Sequence, residues 1–235
     1  MPPTRVFFLL LLSSCAHSGT RPHDMAAEAH DAEAASAEAA ASEHAGEYDP
    51  TAAEAATRCH SAGKGGRICW TVLDNPTEAH QEEAAAMMEL AAEHRAASET
   101  LRAAEDSACA GIAPEDRDIS PFAYAADIAS VAPLTARRGG KLPDDVTIGA
   151  VVTVRAVPGL TVEWLQRVVD CHVARNAALG HIVPEMPDCP LVPKGVSVSV
   201  SSTGTGFAVE IRSTDDDGSA DVLARAKRLA VAPAP

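Results

Sequence analysis

Residues 196–211 read VSVSVSSTGTGFAVEI. Valines alternate with serines in the first part, two glycines follow, and the alternation resumes with Phe207, Val209 and Ile211. An apolar side chain at every second position indicates a strand with one buried face. Two such segments joined by a short glycine-containing loop are typical of a hairpin. These residues therefore predict an antiparallel β-hairpin, around which the C-terminal part of the chain is interpreted.

The segments on either side of the hairpin extend it into a small α+β module. Apolar residues alternate from Val146 to Ala156, which predicts a first strand. Thr161 precedes a helical pattern whose apolar side is formed by Trp164, Leu165, Val168, Val169, Cys171 and His172. After the hairpin, the acidic run 215–217 opens a last helix, because carboxylates are favourable at a helix N-terminus. Residues 146–230 therefore predict a βαββα module with a three-stranded sheet covered by helices on one side.

A long helix is predicted at about residues 76–110. The segment 75–78, Asn-Pro-Thr-Glu, supplies a cap, a proline at the first helical position and a carboxylate in the first turn. Small and apolar residues then form one stripe at three- and four-residue spacing: His80, Ala84, Met87, Leu90, Ala91, His94, Ala97, Leu101 and Ala104. A stripe this narrow needs a partner helix at close range, either a helical part of the preceding segment or another copy of the chain.

The segment 58–145 is interpreted as a helical region built around this long helix. Before the helix, a glycine-rich loop separates Cys59 from Cys69 and predicts a turn that brings the two cysteines together. After it, a short helix is expected from Ser120-Pro121, and it would carry Phe122, Ile128 and Val131.

Residues 15–57 are acidic and of low complexity, with repeated alanine, glutamate, aspartate and histidine. Alanine and glutamate favour helix, but few side chains in this segment are large enough to fix a helix to a core. The segment is therefore interpreted as an acidic tether, disordered or partly helical. Its histidines also suggest weak metal binding, but a solvated linker is the favoured interpretation.

The charge and composition of the 235-residue chain exclude one class of partner. The net charge is −14, and aromatic residues make up only 3% of the chain. A nucleic-acid-binding protein needs a basic patch to neutralise phosphates, so we expect no nucleic-acid partner. Much of the hydrophobic content is alanine, which buries little apolar area, so the core is expected to need further support.

The N-terminus has the layout of a secretory signal. Arg5 precedes an uncharged apolar run, Val6 to Leu12, which is far shorter than the roughly 20 residues needed to span a bilayer. The ending Leu12-Ser13-Ser14-Cys15 resembles the lipobox of bacterial lipoproteins. This resemblance implies that residues 1–14 are removed and that Cys15 carries diacylglyceryl and palmitate-type acyl chains. With Ala16 next, it also implies an outer-membrane lipoprotein that faces the periplasm. Three acyl chains anchor a protein stably. The mature part resembles only uncharacterised envelope lipoproteins, which implies no activity.

Five cysteines remain beyond Cys15, and an envelope location favours disulfides between them. Cys59 and Cys69 flank a short glycine-rich loop and form one candidate pair. Cys171 and Cys189 form the favoured second pair, because this bridge would hold the proline-rich loop 184–193 to the preceding helix. Cys109 is then the leftover thiol, although it could instead pair with Cys59 or Cys69.

A copper or zinc site is the alternative use of these residues. The dipeptides Cys59-His60 and Cys171-His172 offer thiolate and imidazole, the ligands that suit Cu(I) and Zn(II). The spacing of paired cysteines and histidines in known zinc motifs is missing. The histidines of the long helix also lie seven residues apart, about 10 Å along a helix, which is too far to chelate one ion. We therefore expect no metal cofactor.

Enzyme motifs are also missing from the sequence. It contains no GxSxG or di-iron ExxH motif, and no GxGxxG followed by an acid. We expect no catalytic residues and interpret the chain as a membrane-anchored envelope lipoprotein. Its expected role is to bind another envelope protein or to serve a structural purpose, with copper or zinc binding as the alternative.

Overall fold

The computed structural model describes residues 20–63, 65–139 and 144–231. The predicted signal segment and Cys15 lie outside these residues. Within the described part, four α-helices combine with a two-stranded and a four-stranded sheet, both antiparallel. An N-terminal helix pair carries the small sheet at its end, and a C-terminal α/β module contains the larger sheet. The expected mixed class is therefore confirmed, while the details of the module differ from the prediction.

The N-terminal part is an antiparallel pair of helices joined by a β-hairpin. Helix α1 spans Ala27–Glu47 and helix α2 spans Glu78–Ala108. Between them lie strands β1, Glu54–Ser61, and β2, Arg67–Asp74. About half of the expected tether is thus a helix packed along α2. Helix α1 is the partner that the stripe on α2 requires.

The seam between the two helices is built mainly from small residues in heptad positions. The buried residues of α1 recur at steps of three and four: Ala27, His30, Ala34, Ala37 and Ala41. Those of α2 are Ala91, His94, Ala97, Ser98 and Leu101. Small side chains let two backbones approach closely, which is how an alanine-rich helix can pack without large apolar groups.

Two ion pairs flank this seam and agree with its register. Arg95 lies 2.5 Å from Glu38, and Arg102 lies 2.5 Å from Asp31. The hydrogen bond from Arg102 lowers the pKa of the Asp31 carboxyl. All four side chains are substantially exposed, so solvent screening leaves each pair with only a small effect on stability. Their main effect is to favour one alignment of the helices.

The C-terminal module contains four strands and two helices. Strands β3, Ile128–Arg138, and β4, Asp144–Arg155, precede helix α3, Val162–Ala178. Strands β5, Val196–Ser202, and β6, Gly206–Ser213, precede helix α4, Asp216–Val231. The sheet order is β3-β4-β6-β5. The predicted three-stranded βαββα module is therefore corrected to a four-stranded ββαββα module.

The extra strand, β3, occupies the segment where a short helix was expected. Its apolar residues Ile128, Val131 and Leu134 recur at three-residue steps, which mimics a helix. The register shift after Ile128 places Ile128 and Val131 on the core face, while Leu134 lies on the opposite face of the strand. Pro133 is tolerated because β3 lies at the edge of the sheet, where one side needs no hydrogen bonds.

Both helices of the module cover the same face of the sheet. The inward residues of the two central strands are Ala150, Val152, Val154, Phe207, Val209 and Ile211, and they share one core with Leu165 of α3 and Val222 of α4. On edge strand β5, the serines Ser197, Ser199 and Ser201 are exposed. The alternation of valine and serine in residues 196–202 thus separates the core face of the sheet from its solvent face.

A disulfide between Cys109 and Cys171 joins the end of α2 to α3. The favoured pairing of Cys171 with Cys189 and the assignment of Cys109 as the leftover thiol are therefore wrong. The end of α2 lies against α3, where Ile112 and Val168 pack around the bridge. A salt bridge of 2.7 Å between Arg175 and Glu105 lies at the same junction.

The proline-rich loop 184–193 is held by burial instead of a disulfide. Cys189, Leu191 and Val192 are buried in the core of the module. The side-chain amide of Asn176 donates a hydrogen bond of 3.0 Å to the Leu191 carbonyl. The loop therefore needs no covalent bridge, and Cys189 remains a buried thiol.

Candidate functional site

The hairpin formed by β1 and β2 exposes nearly all of its side chains. Three large apolar residues are among them: Ile68 is 53% exposed, Trp70 is 44% exposed and Leu73 is 79% exposed. Ile68 and Trp70 lie on one face and Leu73 on the other, because successive strand residues point to opposite faces. The hairpin is the part of the described chain where strand side chains are most exposed on both faces.

A disulfide holds this exposed hairpin together. Cys59 and Cys69 are directly opposite each other in the register, with 4.1 Å between their Cα atoms. This is the pair that the glycine-rich loop predicted. An isolated two-stranded hairpin is marginally stable in water, so a cross-strand bridge explains how it keeps its form with little core. The exposed apolar residues therefore remain available for contacts with another molecule.

The remaining residues of the hairpin give it a basic and aromatic character. The imidazole of His60 lies edge-on to Trp70, with 5.5 Å between ring centroids. Arg58 pairs with Asp74 at 2.6 Å, while Arg67 is exposed near the turn. Trp and Arg are enriched at protein interfaces because they combine apolar area with polar contacts.

Four titratable side chains converge at the base of the hairpin, where α1 ends and α2 begins. His44 and Glu47 belong to the last turn of α1, while His80 and Glu83 belong to the first turns of α2. The Nδ1 atoms of the two histidines are 3.4 Å apart. Glu47 lies 2.9 Å from His80 Nδ1, and Glu83 lies 3.1 Å from His44 Nδ1. Of these four residues, His44, Glu47 and His80 offer donor atoms close enough together to hold one metal ion.

The residues that the sequence suggested as metal ligands do not form a site. Cys59 and Cys171 are in disulfides and offer no thiolate. His60 packs on Trp70, and His172 is buried within the C-terminal module. The copper or zinc site at Cys59-His60 and Cys171-His172 is therefore wrong, because oxidised cysteines cannot bind metal as thiolates.

His172 is a buried histidine next to the Cys109–Cys171 disulfide. Burial, the largest effect, lowers its pKa, and the neighbouring Arg175 lowers it further. Within the described part of the chain, neither of its ring nitrogens has a hydrogen bond of good geometry. The neutral imidazole therefore acts as a core residue.

Cys189 is the free cysteine of the described residues and is buried. Burial raises the pKa of its thiol, which opposes formation of the nucleophilic thiolate. It borders a cleft of about 420 Å³ that is lined mainly by the segments 118–125 and 185–189. A thiol of this kind is unreactive in the folded protein, so it does not indicate catalysis.

An apolar cleft of about 280 Å³ lies between Tyr124 and Trp164. Its lining contains Phe122, Leu165 and one acid, Asp127, with no histidine or cysteine. It can accommodate an apolar group, but it offers no pair of groups for acid–base or nucleophilic chemistry.

Among the residues that the structure describes, no helix has the length and apolar character needed to cross a membrane. Comparison of the chain with models of protein families, with curated proteins and with solved structures found no match.

The histidine–glutamate cluster was missed in the sequence, although two signals mark it. The pattern His-x-x-Glu occurs at His44 and again at His80. In addition, His30 and His44 are separated by 14 residues, the same separation as His80 and His94. Fourteen residues are two heptads, so both histidines of a helix lie on the same side of it. When the two helices run antiparallel, His30 lies opposite His94, and His44 lies opposite His80.

Proposed function

We propose that this chain is a membrane-anchored envelope lipoprotein that binds another envelope protein through the β1–β2 hairpin. The lipobox-like sequence supports the anchor at Cys15. The observation that carries the binding role is the exposure of Ile68, Trp70 and Leu73 on a disulfide-braced hairpin. The proposal is non-enzymatic and retains the outer-membrane, periplasm-facing location that the resemblance implies.

The physical argument is that the hairpin exposes apolar area which the chain does not bury elsewhere. Transfer of apolar surface out of water contributes roughly 25 cal/mol per Å², and tryptophan is the residue most enriched among energetically dominant interface contacts. The two strands also have free outer edges, because the small sheet contains only β1 and β2. A partner can add a strand to such an edge and receive the exposed side chains in pockets.

The charge of the hairpin indicates the chemistry of that partner. Residues 54–74 contain three basic residues and two acidic ones, while the whole chain has a net charge of −14. Arg67 remains exposed beside Ile68. We therefore expect a partner surface with an apolar centre and an acidic rim, since complementary charge favours association.

The anchor is tested by replacing Cys15 in cells that export the protein. The Cys15→Ala variant should lose the acyl chains and move from the membrane fraction to the soluble fraction, because the described helices contain no alternative span. Mass spectrometry of the mature N-terminus provides the second readout. Membrane association that persists in this variant, without acylation, would contradict the lipoprotein assignment.

The hairpin is tested by photo-crosslinking in the same cells. A photoreactive residue at Trp70 should capture one protein reproducibly, whereas the same residue at Ile182, which is 76% exposed in the C-terminal module, should not. The Ile68→Ser variant should weaken capture from position 70. Equal capture from both positions, or none from position 70, would contradict the proposed role.

A further inference from the structure

We propose that His44, Glu47, His80 and Glu83 form a binding site for one Zn²⁺ ion. The four residues come from two short segments, the last turn of α1 and the first turns of α2. Each helix supplies one histidine and one glutamate at positions i and i+3, which lie on the same face of a helix. The antiparallel pairing then brings the two His-x-x-Glu motifs against each other.

The distances between the donor atoms match those around a zinc ion. Nδ1 of His44, Nδ1 of His80 and Oε2 of Glu47 form a triangle with sides of 3.4, 2.9 and 3.7 Å. A point about 2 Å from all three atoms lies at the centre of this triangle, and zinc bonds to histidine and carboxylate are roughly 2.0–2.2 Å long. Oε2 of Glu83 lies 3.1 Å and 3.7 Å from the two Nδ1 atoms and adds a second negative charge beside these three donors.

The protonation chemistry of the cluster also favours a cation. A carboxylate oxygen is an acceptor, so each Nδ1 that bonds to a glutamate must carry a proton. Two such N–H groups would then lie 3.4 Å apart and direct like partial charges at each other. A divalent cation can instead accept the Nδ1 lone pairs of both imidazoles in their Nε2–H tautomers, and it balances the charge of the carboxylates. Two imidazoles and two carboxylates suit a transition ion such as zinc better than Mg²⁺ or Ca²⁺, which prefer oxygen ligands.

The second histidine pair in the same seam provides an internal comparison. His30 and His94 are also opposite each other, but their Nδ1 atoms are 2.9 Å apart and share a direct hydrogen bond. Both residues are buried, and the nearby carboxylate of Asp24 lies at the other ring nitrogen, Nε2 of His30. That pair therefore has its neighbouring carboxylate at Nε2, whereas the pair at the base of the hairpin has carboxylates on its Nδ1 side.

A zinc ion at this position would clamp α1 to α2 beside the connection to the hairpin. The site lies at the end of the helix pair opposite the Cys109–Cys171 disulfide, so the two links would hold the two ends of α2. The inference goes beyond the proposed binding role, and it can be tested without any knowledge of the partner.

The test is titration of the full chain, purified in detergent micelles and freed of metal by chelation, with ZnCl₂ and separately with CoCl₂. We expect one ion per chain by calorimetry. The cobalt form should show visible d–d absorption without a thiolate charge-transfer band, because the ligands are nitrogen and oxygen. His80→Ala and the double variant Glu47→Gln/Glu83→Gln should each weaken zinc binding at least about tenfold, since even loss of outer-shell partners costs 10–100-fold.

Matched controls are available in the neighbouring residues. Glu43→Gln and Glu82→Gln remove an exposed glutamate directly beside a proposed ligand, and His60→Ala removes an exposed histidine outside the cluster. These three variants should bind zinc like the original chain. Far-UV circular dichroism of every variant shows that the helices are intact. Zinc binding that is equally tight in His80→Ala, or no zinc uptake by the original chain, would overturn the assignment.

Discussion

His30 and His94 face each other across the seam between α1 and α2, with 2.9 Å between their Nδ1 atoms. Both are buried in a seam that otherwise consists mainly of alanine. One Nδ1 must donate the hydrogen bond and the other must accept it. A polar pair of this kind fits one alignment of the helices, because a shift of either helix would leave a buried ring nitrogen without a partner.

The first prediction concerns this pair. His94→Ala removes the partner of His30 and leaves a cavity in the seam, so it should lower the free energy of unfolding by about 2–4 kcal/mol. Urea denaturation followed by circular dichroism measures the change. Met88→Ala is the control, since Met88 is exposed on the same helix and its loss should cost less than about 0.5 kcal/mol. Equal effects of the two substitutions would contradict the structural role of the pair.

The second prediction concerns the bridge between α2 and α3. Replacement of Cys109 and Cys171 by serine opens a loop with a sequence separation of 62 residues. The chain-entropy relation gives a loss of about 4 kcal/mol for a loop of this length. Thermal unfolding of the oxidised protein and of the double variant measures the difference.

Thiol counting provides the control for this second prediction. The denatured, non-reduced mature chain should contain one reactive thiol, that of Cys189, if Cys15 is acylated. Peptide mapping without reductant should recover the fragment that joins Cys109 to Cys171. Recovery of a fragment that joins Cys171 to Cys189 would show that the observed pairing is not the one formed in solution.

The third prediction concerns pH. Burial lowers the folded-state pKa of His172 below its ordinary value of 6.5, with Arg175 and Asp118 as the neighbouring charges. As pH falls below about 6.5, the unfolded chain binds a proton that the folded chain does not, so stability decreases. The slope for one histidine is at most about 1.4 kcal/mol per pH unit.

Unfolding measurements between pH 7.5 and pH 5 (roughly one unit above and below the ordinary histidine pKa) provide the check. The His172→Leu variant should lose less stability over this range than the original chain. His181, whose pKa is also lowered by burial, should account for a further part of the slope. An identical pH dependence in the original chain and in His172→Leu would contradict the prediction.

The fourth prediction concerns the contact between the two parts of the chain at Gly180. This glycine has a φ of +66°, and an added Cβ would lie 2.9 Å from the backbone nitrogen of Ala26. Gly180→Ala should therefore destabilise the protein by about 1–3 kcal/mol through backbone strain and displacement of the start of α1. Gly204→Ala separates the two causes, because Gly204 has a φ of +81° and nothing within 4 Å of the added Cβ. If Gly204→Ala loses less stability than Gly180→Ala, the difference is due to the clash with Ala26.

The sequence predicts the elements whose apolar pattern is strong and local. The helix at 78–108 follows from its small and apolar stripe, although it starts after Thr77 and not at Pro76, and the hairpin at 196–213 follows from strict alternation. Helix α1 is predicted only as a partly helical tether without bounds, because Ala34, Ala37 and Ala41 carry no apolar contrast with the alanines on the outer side. Its packing depends on the close approach of α2, which is a tertiary effect.

Long-range pairing is the second kind of information that the sequence lacks. The favoured bridge from Cys171 to Cys189 was the shorter loop, whereas the fold brings Cys109 to Cys171. The histidine–glutamate cluster has a local signature in its two His-x-x-Glu motifs, but only the antiparallel alignment joins His44 to His80. Spacing along the chain identifies candidate ligands, and the fold decides which of them meet.

The position of Cys189 has a consequence for the order of events during oxidative folding. Closing the 18-residue segment between Cys171 and Cys189 costs about 1 kcal/mol less entropy than closing the 62-residue segment between Cys109 and Cys171. Loop closure alone thus favours the Cys171–Cys189 bridge over the Cys109–Cys171 bridge in an unfolded chain. A chain that has formed the shorter bridge reaches the native pairing when the Cys109 thiolate attacks the Cys171 sulfur and Cys189 leaves as the thiolate. In the folded chain Cys189 is buried, so the packing of the core, and not the length of the loop, selects the native pair.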